Sequence, residues 1–284
     1  MSGFRVVICG GGIAAVEALL RLRRLGGDSL DVKMIAPNDE FVYRPMAVRE
    51  PFAFGSPRRR PLRAIARDGR ADWLKDSLAW VDAEAQVVRT RAGETVEFDA
   101  LLVAVGGRQV EAYQHVTTFR DAEADATYQG IVQDVEEGYT RHVAFVQPVG
   151  PVWPLPLYEL ALMTAERADS MSIRDFSATI VTPERRPLAV FGPAVSDAVS
   201  ARLTSAGITV HCDSLAKVPA GRRLVIEPDG IELHPERIVA MPRIAGPSIR
   251  GLGGSGATGF VHVDKHCCVP ATGGRVFAAG DVVD

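Results

Sequence analysis

The stretch Phe4-Arg5-Val6-Val7-Ile8-Cys9-Gly10-Gly11-Gly12-Ile13-Ala14-Ala15-Val16-Glu17-Ala18-Leu19-Leu20 decides the fold. Its first six residues are a β-branched run that reads as a strand, the three glycines make a tight turn, and Ala14 to Leu25 is rich in strong helix formers. Gly26-Gly27 stops that helix. Asp31-Val32-Lys33-Met34-Ile35 then reads as a second strand, completing a βαβ unit of roughly 30 residues. Inside it, Gly10-Gly11-Gly12-Ile13-Ala14-Ala15 has the G-x-G-x-x-A form of a dinucleotide fingerprint, placed between strand and helix, where the pattern is specific. Gly10 permits the turn, Gly12 lets the backbone approach a pyrophosphate, and Ala15 allows close helix packing. The amides opening the helix, at Ile13 and Ala14, offer partial positive charge to the phosphates. The plainer reading is a glycine turn that only packs a strand against a helix.

Working outward, Ala36 to Pro61 is irregular and punctuated by Pro37, Pro45, Pro51, Pro57 and Pro61, long enough for a functional loop. A short helix is predicted at Leu62 to Arg67. Alternating runs at Ala71 to Leu74, Leu78 to Val81, Gln86 to Thr90 and Thr95 to Phe98 predict a small antiparallel meander. Asp99 to Val105 is almost continuously apolar, as a parallel strand covered on both faces should be. A second α/β pattern follows, with helices predicted at 122–137, 157–167 and 195–206 and strands at 142–146, 178–181, 209–212 and 238–241. Further strands are predicted at Phe260 to Val263 and Val276 to Ala279. The expected class is α/β with two Rossmann-like domains, the second inserted in the first. Residues 1–109 and 244–284 form the first domain and 110–243 the second.

Composition narrows the function classes. With 284 residues, 47% of them hydrophobic, and 32 basic against 35 acidic residues, the chain reads as an ordinary globular protein with no electrostatic bias toward nucleic acid. No run approaches the ~20 apolar residues of a membrane span, and the first apolar segment lacks a signal-peptide cleavage site, so a cytoplasmic protein is expected. Cys9, Cys212, Cys267 and Cys268 make no CxxC and no paired framework. Cys9 reads as a small buried hydrophobe. Cys267-Cys268 with His266 and His262 reads as a loop or edge strand, because adjacent cysteines share one zinc poorly and no metal site is expected. Gly254-Ser255-Gly256-Ala257-Thr258-Gly259 matches G-x-G-x-x-G by letter, but with no helix after it reads as a loop. The basic run Arg58-Arg59-Arg60 with Arg63, Arg67 and Arg70 is either a solvated face or a contact with an anionic membrane surface.

The second strand ends in Ala36-Pro37 where such a nucleotide site normally carries an acid for a ribose hydroxyl. Asp39 and Glu40 are the nearby carboxylates, either folding back to that position or standing in a solvated turn. Arg44, between Tyr43 and Pro45, is either a phosphate partner or an exposed arginine.

Together the blocks Gly10 to Ala15 with Glu17, Phe98 to Gly107, and Arg275-Val276-Phe277-Ala278-Ala279-Gly280-Asp281 resemble the FAD-dependent pyridine nucleotide-disulfide oxidoreductase superfamily. The branch they resemble is that of sulfide:quinone oxidoreductase and type II NADH dehydrogenase. The resemblance implies FAD as cofactor, with Ala104, Val105 and Gly106 marking a chain crossing beside it and Asp281, after Gly280, accepting a hydrogen bond from the ribityl chain. It also brings Leu78, Ala36, Pro37 and Arg44 into the expected cofactor set. It implies a helix and a C-terminal cap beyond Gly280-Asp281, which these 284 residues do not include.

In relatives that use nicotinamide, the inserted domain has a second glycine fingerprint. Here Gln147-Pro148-Val149-Gly150-Pro151-Val152-Trp153-Pro154-Leu155-Pro156 stands in its place, and four prolines lack the amides a phosphate nest requires, so NAD(P) binding is not expected. The turn resembles the sulfide:quinone branch, with Pro156 in the first helical turn and Glu159 one turn on. Trp153 either approaches the flavin or packs. The thiols that disulfide reduction or sulfide oxidation would use are not near these blocks. The expected function is electron transfer from a small donor through flavin to a quinone or other small acceptor, in the cytoplasm or at the inner membrane face. The alternatives are an NAD(P)H-dependent flavin reductase and a non-catalytic flavin-binding scaffold. No catalytic acid or base is identified.

Overall fold

The computed structural model describes residues 3–252 and 258–284 and contains two compact units. Unit 1 comprises residues up to Tyr43, Arg58–Arg108 and Ala245–Asp284, and unit 2 comprises Arg44–Pro57 and Gln109–Ile244. Residues 44–57, placed by the sequence reading with the first domain, pack in unit 2. Phe52 is buried there against Tyr128, and the Arg167 guanidinium donates to the Phe52 carbonyl at 2.7 Å.

Unit 1 is built on a five-stranded parallel sheet. The predicted strand β1 (Phe4–Cys9) lies at its centre, with β2 (Leu30–Ile35) and then Asp72–Leu74 on one side, and Ala100–Val103 and then Val276–Ala278 on the other. Both faces of β1 are covered, so its side chains alternate between two cores. Val6 and Ile8 pack with Ala15 and Leu19 of helix α1 (Ile13–Gly26), while Val7 and Cys9 pack with Val81, Val88, Val96 and Phe98. The latter residues come from or adjoin a three-stranded antiparallel meander, Leu78–Asp82, Val87–Thr90 and Thr95–Glu97. The run at Ala71 to Leu74 is not part of that meander: Asp72–Leu74 pairs parallel to β2 at the sheet edge. Helix α1 stops at Gly27, whose φ of +53° suits a residue without Cβ and whose amide donates to the Arg23 carbonyl. Arg23 then binds the Gly69, Gly27 and Leu30 carbonyls at 2.6–2.8 Å, tying the end of α1 to its neighbours.

Unit 2 repeats the plan. Its parallel sheet runs Thr117–Thr118, Arg237–Ala240, His142–Val146, Ser177–Val181, Thr209–His211, with His142–Val146 in the middle. Val143 and Phe145 face a core shared with the helices Ala124–Glu136 and Leu155–Ser170, and Ala144 and Val146 face a three-stranded antiparallel sheet through Leu224 and Ile226. Phe260 to Val263 does not form the predicted strand, making only an isolated bridge between Val261 and Val283. Gly254 to Ala257 lie outside the described residues. No described helix is long and apolar enough to cross a membrane.

Candidate functional site

In unit 1 the chain leaves β1 to one side through α1 and returns later to the other side, which makes the ends of β1 and Ala100–Val103 a topological switch point. Open parallel sheets bind ligands in the crevice at such a point. The three glycines there have different tasks. Gly10 has φ +138°, and a Cβ on it would lie 2.1 Å from the Ala104 carbonyl oxygen, so this position is closed to any side chain by the crossing strand. Its amide donates to the Ile35 carbonyl at 2.8 Å, and the Ala104 amide donates to the Cys9 carbonyl at 2.7 Å. A Cβ on Gly11 would press on Leu62 Cδ1 at 2.6 Å, at the start of helix Leu62–Asp68. At Gly12 a Cβ would meet nothing within 4 Å. Gly10 is closed by backbone and Gly11 is crowded by a side chain, whereas the third glycine faces open space at the N-terminal end of α1.

That helix end is electrostatically unfinished. Gly12 is the N-cap and supplies no side-chain hydrogen bond, and no acidic residue occupies the first turn. The helix's hydrogen bonds begin with the Val16 amide on the Gly12 carbonyl at 3.1 Å, so the amides of Ile13, Ala14 and Ala15 precede them and have no partner along the helix. Such an end favours an anion through both the free N–H groups and the helix dipole. Ile13 is exposed, Ala14 half-buried and Ala15 buried against the sheet.

Two predicted segments converge on it. Val105 is exposed and Gly106, at φ +76°, has open space at its Cβ position. Gly280, φ +84°, approaches α1 so closely that a Cβ there would lie 3.3 Å from the Ala14 Cβ. Asp281 follows, exposed and without a hydrogen bond or ion pair among the described residues. Gly10, Gly12, Ala14, Ala104 and Gly280 are therefore brought together at one end of one sheet.

The rest of the predicted set stands differently. Ala36 is buried beside Gly11, its amide on the Leu74 carbonyl at 3.1 Å, while Pro37 is exposed. Neither nearby carboxylate is free, since Asp39 accepts from the Lys75 ammonium at 2.6 Å and Glu40 faces Arg59 at 3.7 Å. Leu78 is partly buried on the core beneath β1. Arg44 belongs to unit 2, where its guanidinium reaches Asp121 at 3.3 Å. In the basic run, Arg59, Arg67 and Arg70 each face a carboxylate, and Arg58, Arg60 and Arg63 are exposed without ion pairs among the described residues. Cys9 is fully buried, and desolvation pushes its thiol up to about 12, so it packs and does not react. Cys267 and Cys268 sit in a turn capped by Asp264, and no group of three or more metal-ligating side chains occurs among the described residues. A cleft of about 260 Å³ near the other end of the sheet, lined by Arg5, Asp31, Lys33, Asp72 and Glu97, has its arginine engaged by Asp99.

Unit 2 contains a polar cluster that carries no sequence signature. The Thr182 hydroxyl donates to the Gln147 side-chain oxygen at 2.9 Å, and the Tyr158 hydroxyl donates to Glu184 at 2.7 Å. Burial, together with the adjacent Glu184 carboxylate, pushes the Tyr158 phenol above its ordinary range. Glu159, on the same helix, is half-buried, its carboxyl pushed up by desolvation and pulled back by Arg49.

A family model described as pyridine nucleotide-disulphide oxidoreductase matches residues 4–137. Among solved structures, the sulfide:quinone oxidoreductase of the hyperthermophilic bacterium Aquifex aeolicus superposes with a TM-score of 0.88 at 21% identity, covering 99% of this chain and 69% of that one. NDH2 from Plasmodium falciparum, in complex with RYL-552, gives 0.77 at 16% identity, covering 99% and 64%. The ferredoxin reductase of the CYP199A2 system of Rhodopseudomonas palustris gives 0.71 at 20%, covering 98% and 68%. The chain thus spans about two thirds of the length of each. Residues 4–137 thus match the pyridine nucleotide-disulphide oxidoreductase family model, and the chain as a whole has the fold of the sulfide:quinone oxidoreductase and NDH2 structures.

Proposed function

We propose that unit 1 binds FAD and that the chain serves an oxidoreductase passing electrons from a small donor through the flavin to a quinone or another small acceptor. The observation that carries this reading is the open Gly12 position at an uncapped helix end, with the Asp281 carboxylate, which has no partner among the described residues, next to Gly280. The residues fit the cofactor: a diphosphate needs free amides and no side chain between them and itself, and a polyol chain needs an acceptor.

Bound there, FAD would supply the two-electron chemistry, accepting from one partner and donating to the other. The chain's own tasks are binding and orientation. The amides of Ile13, Ala14 and Ala15 hold the diphosphate, Gly12 gives it room, and Asp281 accepts from a ribityl hydroxyl. Ala36, in place of an acid, leaves the adenosine ribose to backbone groups and to water. Gly106, just past the crossing strand, leaves the space beside Val105 free of a side chain.

The unit 2 turn does not fit a second dinucleotide. Pro148, Pro151, Pro154 and Pro156 have no N–H, and the Leu157 amide is used by the Pro154 carbonyl at 3.1 Å. Nicotinamide is therefore left out of the reading.

The test is the visible spectrum of the purified chain before and after incubation with FAD. Flavin bands that survive desalting are expected. A colourless chain that takes up no FAD sinks the reading, and rapid bleaching of bound flavin by NADH or NADPH would replace it with a nicotinamide-dependent reductase.

A further inference from the structure

Cys267 and Cys268 take no part in the flavin reading. They are adjacent and free, the first exposed and the second partly buried. Their backbone is fixed from both sides. The Asp264 carboxylate accepts from the His266 amide at 2.8 Å and from the Cys268 amide at 2.9 Å. The Cys267 amide donates to the Asp264 carbonyl, and the Asp264 amide donates to the Cys268 carbonyl, each at 2.9 Å. On the other side the Ala278 amide donates to the Cys267 carbonyl at 3.0 Å and Cys268 bridges Phe277, which lays the turn along strand Val276–Ala278. In an extended strand, adjacent side chains leave on opposite faces. Cys267 has φ +60°, outside the extended region, so this pair escapes that alternation. The thiols are lightly held: that of Cys268 makes a long contact of 3.7 Å with the Val269 carbonyl, and that of Cys267 has no partner among the described residues.

Two thiols are too few for zinc, which takes three or four protein ligands, and no group of three or more metal-ligating side chains occurs among the described residues. Asp264 is spent on the two amides and holds the turn. A direct S–S bond also suits the pair poorly. The peptide joining them is trans, which sets their Cα atoms about 3.8 Å apart, below the roughly 4.4–6.8 Å of ordinary disulfides, so that bond would be strained and readily reduced. One atom inserted between the sulfurs lengthens the span and removes that strain. It must be soft, to prefer thiolate over water and carboxylate, and must complete its valence with only two protein ligands. Trivalent arsenic that keeps one organic or hydroxyl group meets both conditions.

We propose that Cys267 and Cys268 form a vicinal-dithiol site for trivalent arsenicals, chelating one arsenic atom through both sulfurs. For a hydrated aryl arsenical the exchange balances without a redox partner. Two As–O bonds break and two As–S bonds form, each thiol proton leaves with a hydroxide as water, and arsenic remains trivalent. The proposal stands independently of the flavin reading, since it uses none of the residues assigned to the cofactor.

Phenylarsine oxide added to the reduced full chain is the probe. Intact-mass spectrometry should show one adduct per chain, and peptide mapping should show Cys267 and Cys268 protected from iodoacetamide. The adduct should survive excess mercaptoethanol and be stripped by dimercaptopropanol, because a monothiol does not match a chelate. C267S and C268S should each bind at least about a hundredfold more weakly, since one anchor remains. C212S should bind like the parent, and Cys9 is buried out of reach. The exposed position of Cys267 predicts unchanged thermal unfolding for C267S, which separates lost binding from lost folding, and the comparison of monothiol with dithiol needs no variant at all. Absence of an adduct, its loss to mercaptoethanol, parent-like binding by C267S, or an adduct that persists in C267S/C268S overturns the proposal.

Discussion

The two units contain the same hydrogen-bonded junction with opposite contents. In unit 1 the Gly10 amide binds the Ile35 carbonyl, the Ala36 amide binds Leu74, and the Ala104 amide binds Cys9. In unit 2 the Gln147 amide binds Val181, the Thr182 amide binds His211, and the Met241 amide binds Val146. Gln147 thus stands where Gly10 stands, and Thr182 where Ala36 stands. Unit 1 keeps the junction free of side chains and leaves its helix end open. Unit 2 fills it with the Gln147 and Thr182 contact and opens its helix with prolines. The backbone architecture is indifferent to which of these is chosen, so a Rossmann-like sheet says little about binding until the turn residues are read.

The sharpest way to break this comparison is to give Gly10 a side chain. Gly10→Ala puts a Cβ 2.1 Å from a backbone oxygen at φ +138°, and a loss above about 4 kcal/mol, or no folded protein, is expected in urea unfolding. A wild-type midpoint would show that the crossing strand yields. Two residues away the expectation reverses. Gly12→Asp meets open space and provides an N-cap, so stability should hold or rise by about 0.3 kcal/mol. FAD affinity should fall at least about a hundredfold, near 2.7 kcal/mol, because a carboxylate occupies the diphosphate position. Equal retention of FAD by this variant would contradict the placement of the cofactor.

In unit 2 the corresponding test is Tyr158→Phe. Removing the hydroxyl leaves the Glu184 carboxylate short of a donor, and a loss of about 1–3 kcal/mol in thermal or denaturant unfolding is expected with flavin content unchanged. No loss would mean that water replaces the phenol and that the cluster does not hold the turn. The smallest effect is the pH dependence contributed by Cys9, whose counterpart in unit 2 is Val146. The native thiol is pushed up to about 12 from 9.0, so above about pH 9 the unfolded chain releases a proton that the folded chain retains. Stability is then fully present below pH 9 and falls as pH rises, by up to about 1.4 kcal/mol per pH unit. Cys212, raised in the same direction but half-exposed, adds less, and the buried Tyr128 and Tyr158 join only above their ordinary range near 10. Cys9→Val should flatten the slope between pH 9 and 10, and an unchanged slope would assign it elsewhere.

Much of unit 1 was legible because its signals are local. A β-branched run, three glycines and a helix-forming run lie within 20 residues, and each element forms as its own composition predicts. The misreadings share one cause. Ala71 to Leu74 alternates like a meander strand, yet alternation does not specify a partner, and Asp72–Leu74 found the open edge of β2. Phe260 to Val263 is apolar enough for a strand but has only Val283 to bridge. Residues 44–57 follow Tyr43 in the chain, but Ala47, Val48 and Phe52 complete a core made by helices that begin some 70 residues later. The Tyr158–Glu184 and Thr182–Gln147 pairs link residues 26 and 35 apart and carry no periodicity that would announce them.

By itself the sequence determined that β1, its turn, α1 and β2 form a βαβ unit, and that four residues of the later turn, Pro148, Pro151, Pro154 and Pro156, have no amide to offer. Both follow from what glycine permits and proline removes within a few residues. Only the tertiary structure decided that Gly10 is closed while Gly12 is open, that Gly280 comes to rest on Ala14, and that Trp153 and Phe191 meet on one surface. Those facts depend on which strands lie side by side, and that is settled by burial across the whole chain and not by any window of it.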